Sequence, residues 1–229
     1  MRKIALGMVL FLPLFANVSH AWDDDDAKLA EQCPSLALWI RAHKHSGELA
    51  KQADAHATFS EPALREHLLK MEKNDVQARD AWIATGLKDQ KAQHVVDDTD
   101  AANLKQLKSI VDKEGFPTVA QVGKRGVEAA FLLTQHADSD PAFQQHVLDT
   151  LKERTGSEAV SGQDFAMLTD RVLIKQGKLQ RYGTQFNKKD GTWAPDPMED
   201  PTHIDQRRAA LGLPTMSDYT CMIKAMYGS

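Results

Sequence analysis

Cysteine occurs only twice in the 229 residues, at Cys33 and Cys221. Two thiols 188 positions apart cannot build a four-cysteine metal cluster, a CxxC redox pair or a small scaffold stapled by several disulfides. Apolar runs are almost as scarce. After IALGMVLFLPLFA near the start, no segment approaches the roughly 20 apolar residues of a membrane-spanning helix. Basic charge is not in excess either, with 28 Lys+Arg against 32 Asp+Glu. That balance argues against a nucleic-acid surface, which needs a continuous basic footprint. His-Glu-x-x-His, GxSxG and a glycine loop ending in GK[ST] do not occur. The zinc-protease, serine-hydrolase and nucleotide chemistries they announce lose their usual signatures. His43 and His45 are two apart, which points them away from one another on a helix, so they do not form a metal pair. No residue pattern specifies a cofactor or a metal, and internal repeats, heptads and low-complexity linkers are missing too.

The first apolar run follows Arg2 and Lys3 and ends in Ser19-His20-Ala21. A short basic region, an apolar stretch and small residues at minus three and minus one describe a secretory signal peptide over residues 1–21. Cleavage removes two cations, taking the formal charge from −4 to −6. The acidic run Asp23–Asp26 would then lead the mature chain as a solvated face that also suits a helix N-terminus. The expected location is periplasmic or secreted. In an oxidising compartment Cys33 and Cys221 are a disulfide candidate, and two buried free thiols are the alternative.

Helix signals dominate the rest, predicting a mainly α fold with several helices around one buried central helix. Leu29–His45 reads as a helix. Ser60-Glu61-Pro62 opens another that Gly86 follows, with Leu64, Leu68, Met71, Ala78 and Trp82 as its apolar stripe. A third is expected from about Thr99 to Glu114, stopped by Gly115. Val119–Thr134 is apolar almost all round from Ala129 to Leu133, so it belongs in the interior. Asp140-Pro141 and Ser161 begin two further helices, and Asp200-Pro201 and Thr215 begin the last two. Between them, Lys189-Asp190-Gly191 is a turn signal for one short β-hairpin. Residues 22–109 form an N-terminal helical region on this reading, and 110–229 a helical domain with the hairpin.

Three constellations carry chemistry. His136, at the polar end of the apolar helix, can act as a general base, or as a capping or core histidine. Asp170-Arg171 interrupts an apolar helix, where a carboxylate and a guanidinium must find partners or line a cavity. Gln180-Arg181-Tyr182-Gly183-Thr184-Gln185 crowds amides, a phenol and a hydroxyl around one glycine. Such a set suits a neutral polar ligand, or else a network that braces the hairpin. Arg208, three residues after Asp205, can grip a carboxylate or phosphate.

The ordered series Gly115-Phe116-Pro117, Gln135-His136-Ala137-Asp138, Asp170-Arg171 and Gln180-x-Tyr182-Gly183-Thr184-Gln185, with Asp205-x-x-Arg208, resembles an uncharacterised bacterial domain family. That family shows the same pieces in the same order, usually with Trp where this chain has Phe116. The resemblance spans roughly residues 110–225 and implies a shared fold and site without an activity. The resulting expectation is an exported protein whose pocket uses His136 as proton acceptor, with Asp170 or Asp138 orienting it. Arg171, Gln180, Tyr182, Thr184, Gln185 and Arg208 would hold a small polar ligand or an envelope component. A hydrolase acting on cell-envelope glycan or peptide is one reading. A non-catalytic binding, inhibitor or immunity-type protein with a protein partner is the other.

Overall fold

The computed structural model describes residues 29–42, 54, 57–152 and 160–227. The expected signal peptide, Asp23–Asp26 and His43–His45 lie outside them, as does Gly156. The fold is mainly α with one two-stranded antiparallel hairpin. Among the described residues no helix is long and apolar enough to cross a membrane.

Residues 29–42 are helical apart from Cys33. Helix α1 (Pro62–Ala84) has proline in its first turn, where the missing N–H costs nothing. Helix α2 (Gln90–Glu114) begins nine residues before its expected start. Its N-cap is Asp89, whose carboxylate accepts from the amides of Lys91 and Ala92. Because α2 runs unbroken to Glu114, the expected domain boundary at 109/110 falls inside a helix.

Helix α3 (Val119–Gln135) opens on a capping box, Thr118 with Gln121, and is the buried helix that the apolar run predicts. Val127, Ala129, Ala130, Phe131 and Leu133 are each at most 2% exposed. The helix is interrupted at Gly123, with φ 70° and ψ 170°. There the Asp54 carboxylate accepts from the freed amides of Lys124 (2.8 Å) and Arg125 (3.2 Å), acting as an internal cap. A Cβ on residue 123 would run into Asp54, Arg65 and Phe59, so the break requires glycine.

Helix α4 (Pro141–Leu151) is capped by Asp140, and α5 (Gly162–Lys175) by Ser161. Strands β1 (Phe186–Lys189) and β2 (Thr192–Pro195) pair through Asp190-Gly191, both at positive φ. That is the demand of a tight primed turn. Tyr182–Gln185 lead into the first strand as a loop. A 3-10 turn (Pro201–His203) leads into α6 (Ile204–Ala210), and α7 (Met216–Tyr227) closes the chain.

Two apolar clusters divide the interior. The larger joins α1 to α5 through Leu68, Leu107, Val127, Phe131, Val147 and Leu168. The smaller packs Leu29, Cys33 and Leu36 against Phe186, Tyr219, Met222 and Ile223. Cys33 and Cys221 form a disulfide with Cα atoms 6.0 Å apart, 188 residues apart in sequence, and it ties the N-terminal helical segment to α7.

Candidate functional site

The carboxylate of Asp170 is fully buried and faces backbone. One oxygen accepts from the amides of Arg181 (2.6 Å) and Tyr182 (2.9 Å), the other from the amide and hydroxyl of Thr184 (both 2.9 Å). Gln180 completes the loop by accepting from the Gln185 amide and donating to the carbonyls of Gln185 and Asp196. Gln185 donates to Thr184 Oγ1 and the Met167 carbonyl. Arg208, at 0% exposure, donates to the carbonyls of Pro214 (2.7 Å) and Tyr182 (2.6 Å) and lies over the Tyr219 ring. Gly183, at φ 70°, leaves no room for a Cβ beside the sulfurs of Met198 and Met216.

These groups are therefore aimed at the chain's own backbone. Asp170, Gln180, Thr184, Gln185 and Arg208 hold one loop between α5 and α7, and the structure does not bring them into a pocket with His136. Tyr182 differs. It is half-buried, and its phenol takes no part in the hydrogen bonds of the described residues. Burial raises that phenol above its ordinary value.

His136 sits at the C-terminus of α3, in a second cluster. Its Nδ1 lies 2.8 Å from Asp75 Oδ2 on α1. Arg79, one turn along α1, places Nε 3.0 Å from the same ring nitrogen and 3.3 Å from Asp75 Oδ2. Its Nη2 donates to Asp100 Oδ1 on α2 at 2.7 Å. A ring nitrogen cannot both donate to Asp75 and accept from Arg79. The 2.8 Å contact with a carboxylate fits a proton on Nδ1, with Arg79 Nε–H then shared with Asp75 Oδ2, and the 3.0 Å contact from Arg79 fits the other tautomer.

On the other side, Arg171 donates to the Gln135 carbonyl and lies 3.3 Å from Asp138 Oδ1. Gln144 holds the carbonyls of Thr134 and Gln135 at 3.1 Å. Of the expected site residues, then, His136, Asp138 and Arg171 meet at the end of α3.

Burial sets the protonation pattern. It pushes the His136 imidazole below its ordinary value, opposed by Asp75 and reinforced by Arg79 and Arg171. Burial also raises the Asp75 carboxyl, but the hydrogen bond and charge of His136 and the charge of Arg79 outweigh it, so that pKa lies low. A fully charged ring would satisfy Asp75 but conflict with its own burial. The pair is therefore an ionised Asp75 beside a neutral ring. Asp100 goes the other way. Burial lifts its carboxyl to about 7, with Arg79 opposing and Asp75 reinforcing. The Arg171 guanidinium is lowered to about 10, again by burial first.

Exposure in the cluster is graded. The side chain of Asp75 keeps 1% of its surface, His136 6%, Arg79 13% and Asp100 23%. Asp100 is accordingly the face the cluster turns to solvent. Among the described residues, Asp75 Oδ1, Asn103 Nδ2 and Gln144 Oε1 are buried polar atoms nearby with no hydrogen-bond partner. An open depression of about 550 Å³ on α2, lined by Lys105, Lys108, Ser109, Asp112 and Lys113, includes none of these groups.

Asp75, Arg79, Asp100 and Asn103 are absent from the expected site, although a signal for them exists. The α1 stripe Leu68-Met71-Asp75-Ala78-Trp82 and the α2 stripe Val96-Asp100-Asn103-Leu107-Val111 keep helical spacing through their polar members. A carboxylate at a core position of each stripe is the mark.

No curated protein and no solved structure matches the chain. A family model does, over residues 62–229, and it takes in α1 and α2 with Asp75 and Asp100 as well as the segment that carries the motif series. The chain thus belongs to a family of unknown function, DUF6624.

Proposed function

We propose that the chain is an exported hydrolase acting on a polar cell-envelope glycan or peptide, and that Asp75, Arg79, Asp100 and His136 are its reaction centre. The observation that carries this reading is the 2.8 Å contact between Asp75 and His136 Nδ1. A carboxylate on Nδ1–H fixes the ring in the tautomer that leaves Nε2 as a proton acceptor. Such a ring can take a proton from an attacking water. Asp100, which holds its proton up to about pH 7, can return one to the leaving group. Two carboxyl groups pushed apart by their surroundings divide the base-orienting and acid roles. Arg79 holds both in place. Export rests on the N-terminal sequence pattern, and the Cys33–Cys221 disulfide is compatible with it.

The test is incubation of the purified chain with solubilised cell-wall glycan and peptide fragments, followed by mass spectrometry for products that have gained one water. His136→Gln should reduce turnover by about 10²–10⁴-fold, the usual contribution of a general base. Products formed equally by His136→Gln would refute the assignment, and no product from any fragment class would refute the reaction. One observation favours the second reading, a non-catalytic binding or immunity-type protein. The Asp170 loop spends its polar groups on the chain's own backbone and leaves the Tyr182 phenol half-exposed, as a scaffold presenting a surface would.

A further inference from the structure

We infer that the cluster at the α1–α2–α3 junction is also a divalent-cation site, with Asp75, Asp100 and His136 as ligands and a transition ion such as Zn²⁺ or Mn²⁺ as occupant. One ligand-type atom from each of the three residues lies within 4.8 Å of the others. Donors about 2.0–2.2 Å from a single ion lie roughly 3.3–4.4 Å apart, so the three must draw in by up to about 1.5 Å to close on one. Two carboxylates and one imidazole are a donor set that these ions accept.

A second observation is independent of this spacing. Asp75 is 1% exposed, and among the described residues its Oδ1 has no hydrogen-bond partner. Asn103 is 6% exposed, and its Nδ2 has none among them either. The α1–α2 hairpin is antiparallel with Arg79 opposite Asp100, which sets Asn103, one turn further along α2, at the level of Asp75. An amide turned by 180° presents oxygen instead of nitrogen, so Asn103 can add a neutral oxygen donor.

Arg79 is the competing cation. It sits 2.7 Å from Asp100 and 3.0 Å from His136 Nδ1, so an ion enters only when its guanidinium turns outward. The ion would then occupy the ring nitrogen contacted by Asp75 and Arg79 and break the arrangement the proton-transfer reading needs. The cation-bound form is a resting state of the proposed hydrolase, and the ion-free form is the active one. Binding itself does not rest on the hydrolase reading.

The experiment is isothermal titration of ZnCl2 and MnCl2 into the untagged chain, with thermal melts to verify that each variant is folded. Wild type should bind one ion. Arg79→Gln, which removes the competing charge, should bind at least several-fold more tightly, and Asp100→Asn at least tenfold more weakly. A His136 ring resonance that shifts on adding ZnCl2 supplies a readout at the ligand itself. Failure of both wild type and Arg79→Gln to bind would overturn the inference. Equal affinity in Asp100→Asn would do so as well, by placing the ion elsewhere. Either failure leaves the hydrolase reading standing, because turnover is not what is measured.

Discussion

Replacing Asp100 by asparagine should change how stability depends on pH, in a direction fixed by the burial of that carboxyl. Burial lifts its pKa to about 7 in the folded chain, from an ordinary value of 3.8. Folded protein therefore binds the proton more tightly than unfolded protein. The stabilisation is complete below the unfolded value and is lost as pH rises toward 7. Integrating the difference from pH 5 to pH 8 gives a loss of roughly 2–3 kcal/mol from this group. Asparagine keeps an oxygen for Arg79 Nη2 and cannot ionise. The variant-minus-wild-type difference should thus move toward the variant by that amount across the interval. Glu72, Asp164 and Asp170 are raised as well, but they are common to both proteins and cancel in the difference. Asp75 is lowered, so its titration lies below the window. The assay is urea unfolding at half-unit pH steps, with constant denaturant dependence as the check on two-state behaviour. A difference flat to within about 0.5 kcal/mol from pH 5 to pH 8 would refute the assigned environment of Asp100.

The Cys33–Cys221 bridge closes a loop of 188 residues, and reducing it should cost roughly 5 kcal/mol in the chain-entropy model, read as a lower urea midpoint with reductant. Asp170→Asn should destabilise by at least about 3 kcal/mol, because an amide nitrogen would face donors that now meet a carboxylate oxygen. Tyr182→Phe in the same loop should shift stability by less than about 0.5 kcal/mol, since its phenol bonds to none of the described residues. A pair of melts comparing the two variants decides whether the loop is held by Asp170.

The sequence announces its helices where local chemistry is decisive. Thr118 with Gln121, Asp140 before Pro141 and Ser161 before Gly162 each cap a helix as their residue types demand. The start of α2 is hard to read because its first turns, Gln90 to Asp98, carry few apolar residues and only Asp89 marks the N-terminus. The polar series from Gln180 to Gln185 was legible as a network but not in its target. Hydrogen-bonding side chains read the same whether they meet a ligand or backbone, and only the fold supplies the carbonyls of Asp196 and Met167. His136 was legible by its place at the end of an apolar helix. Its partner was not, because 61 residues separate it from Asp75 and no spacing rule links two helices across a tertiary contact.

Nitrogen-15 NMR of the His136 ring reads out the oriented neutral imidazole on which the proposed proton transfer depends. The ring should carry its proton on Nδ1, bonded to Asp75, with Nε2 unprotonated at neutral pH, and should charge only below the ordinary value of 6.5. A proton found on Nε2, or a ring that charges at or above 6.5, would contradict it.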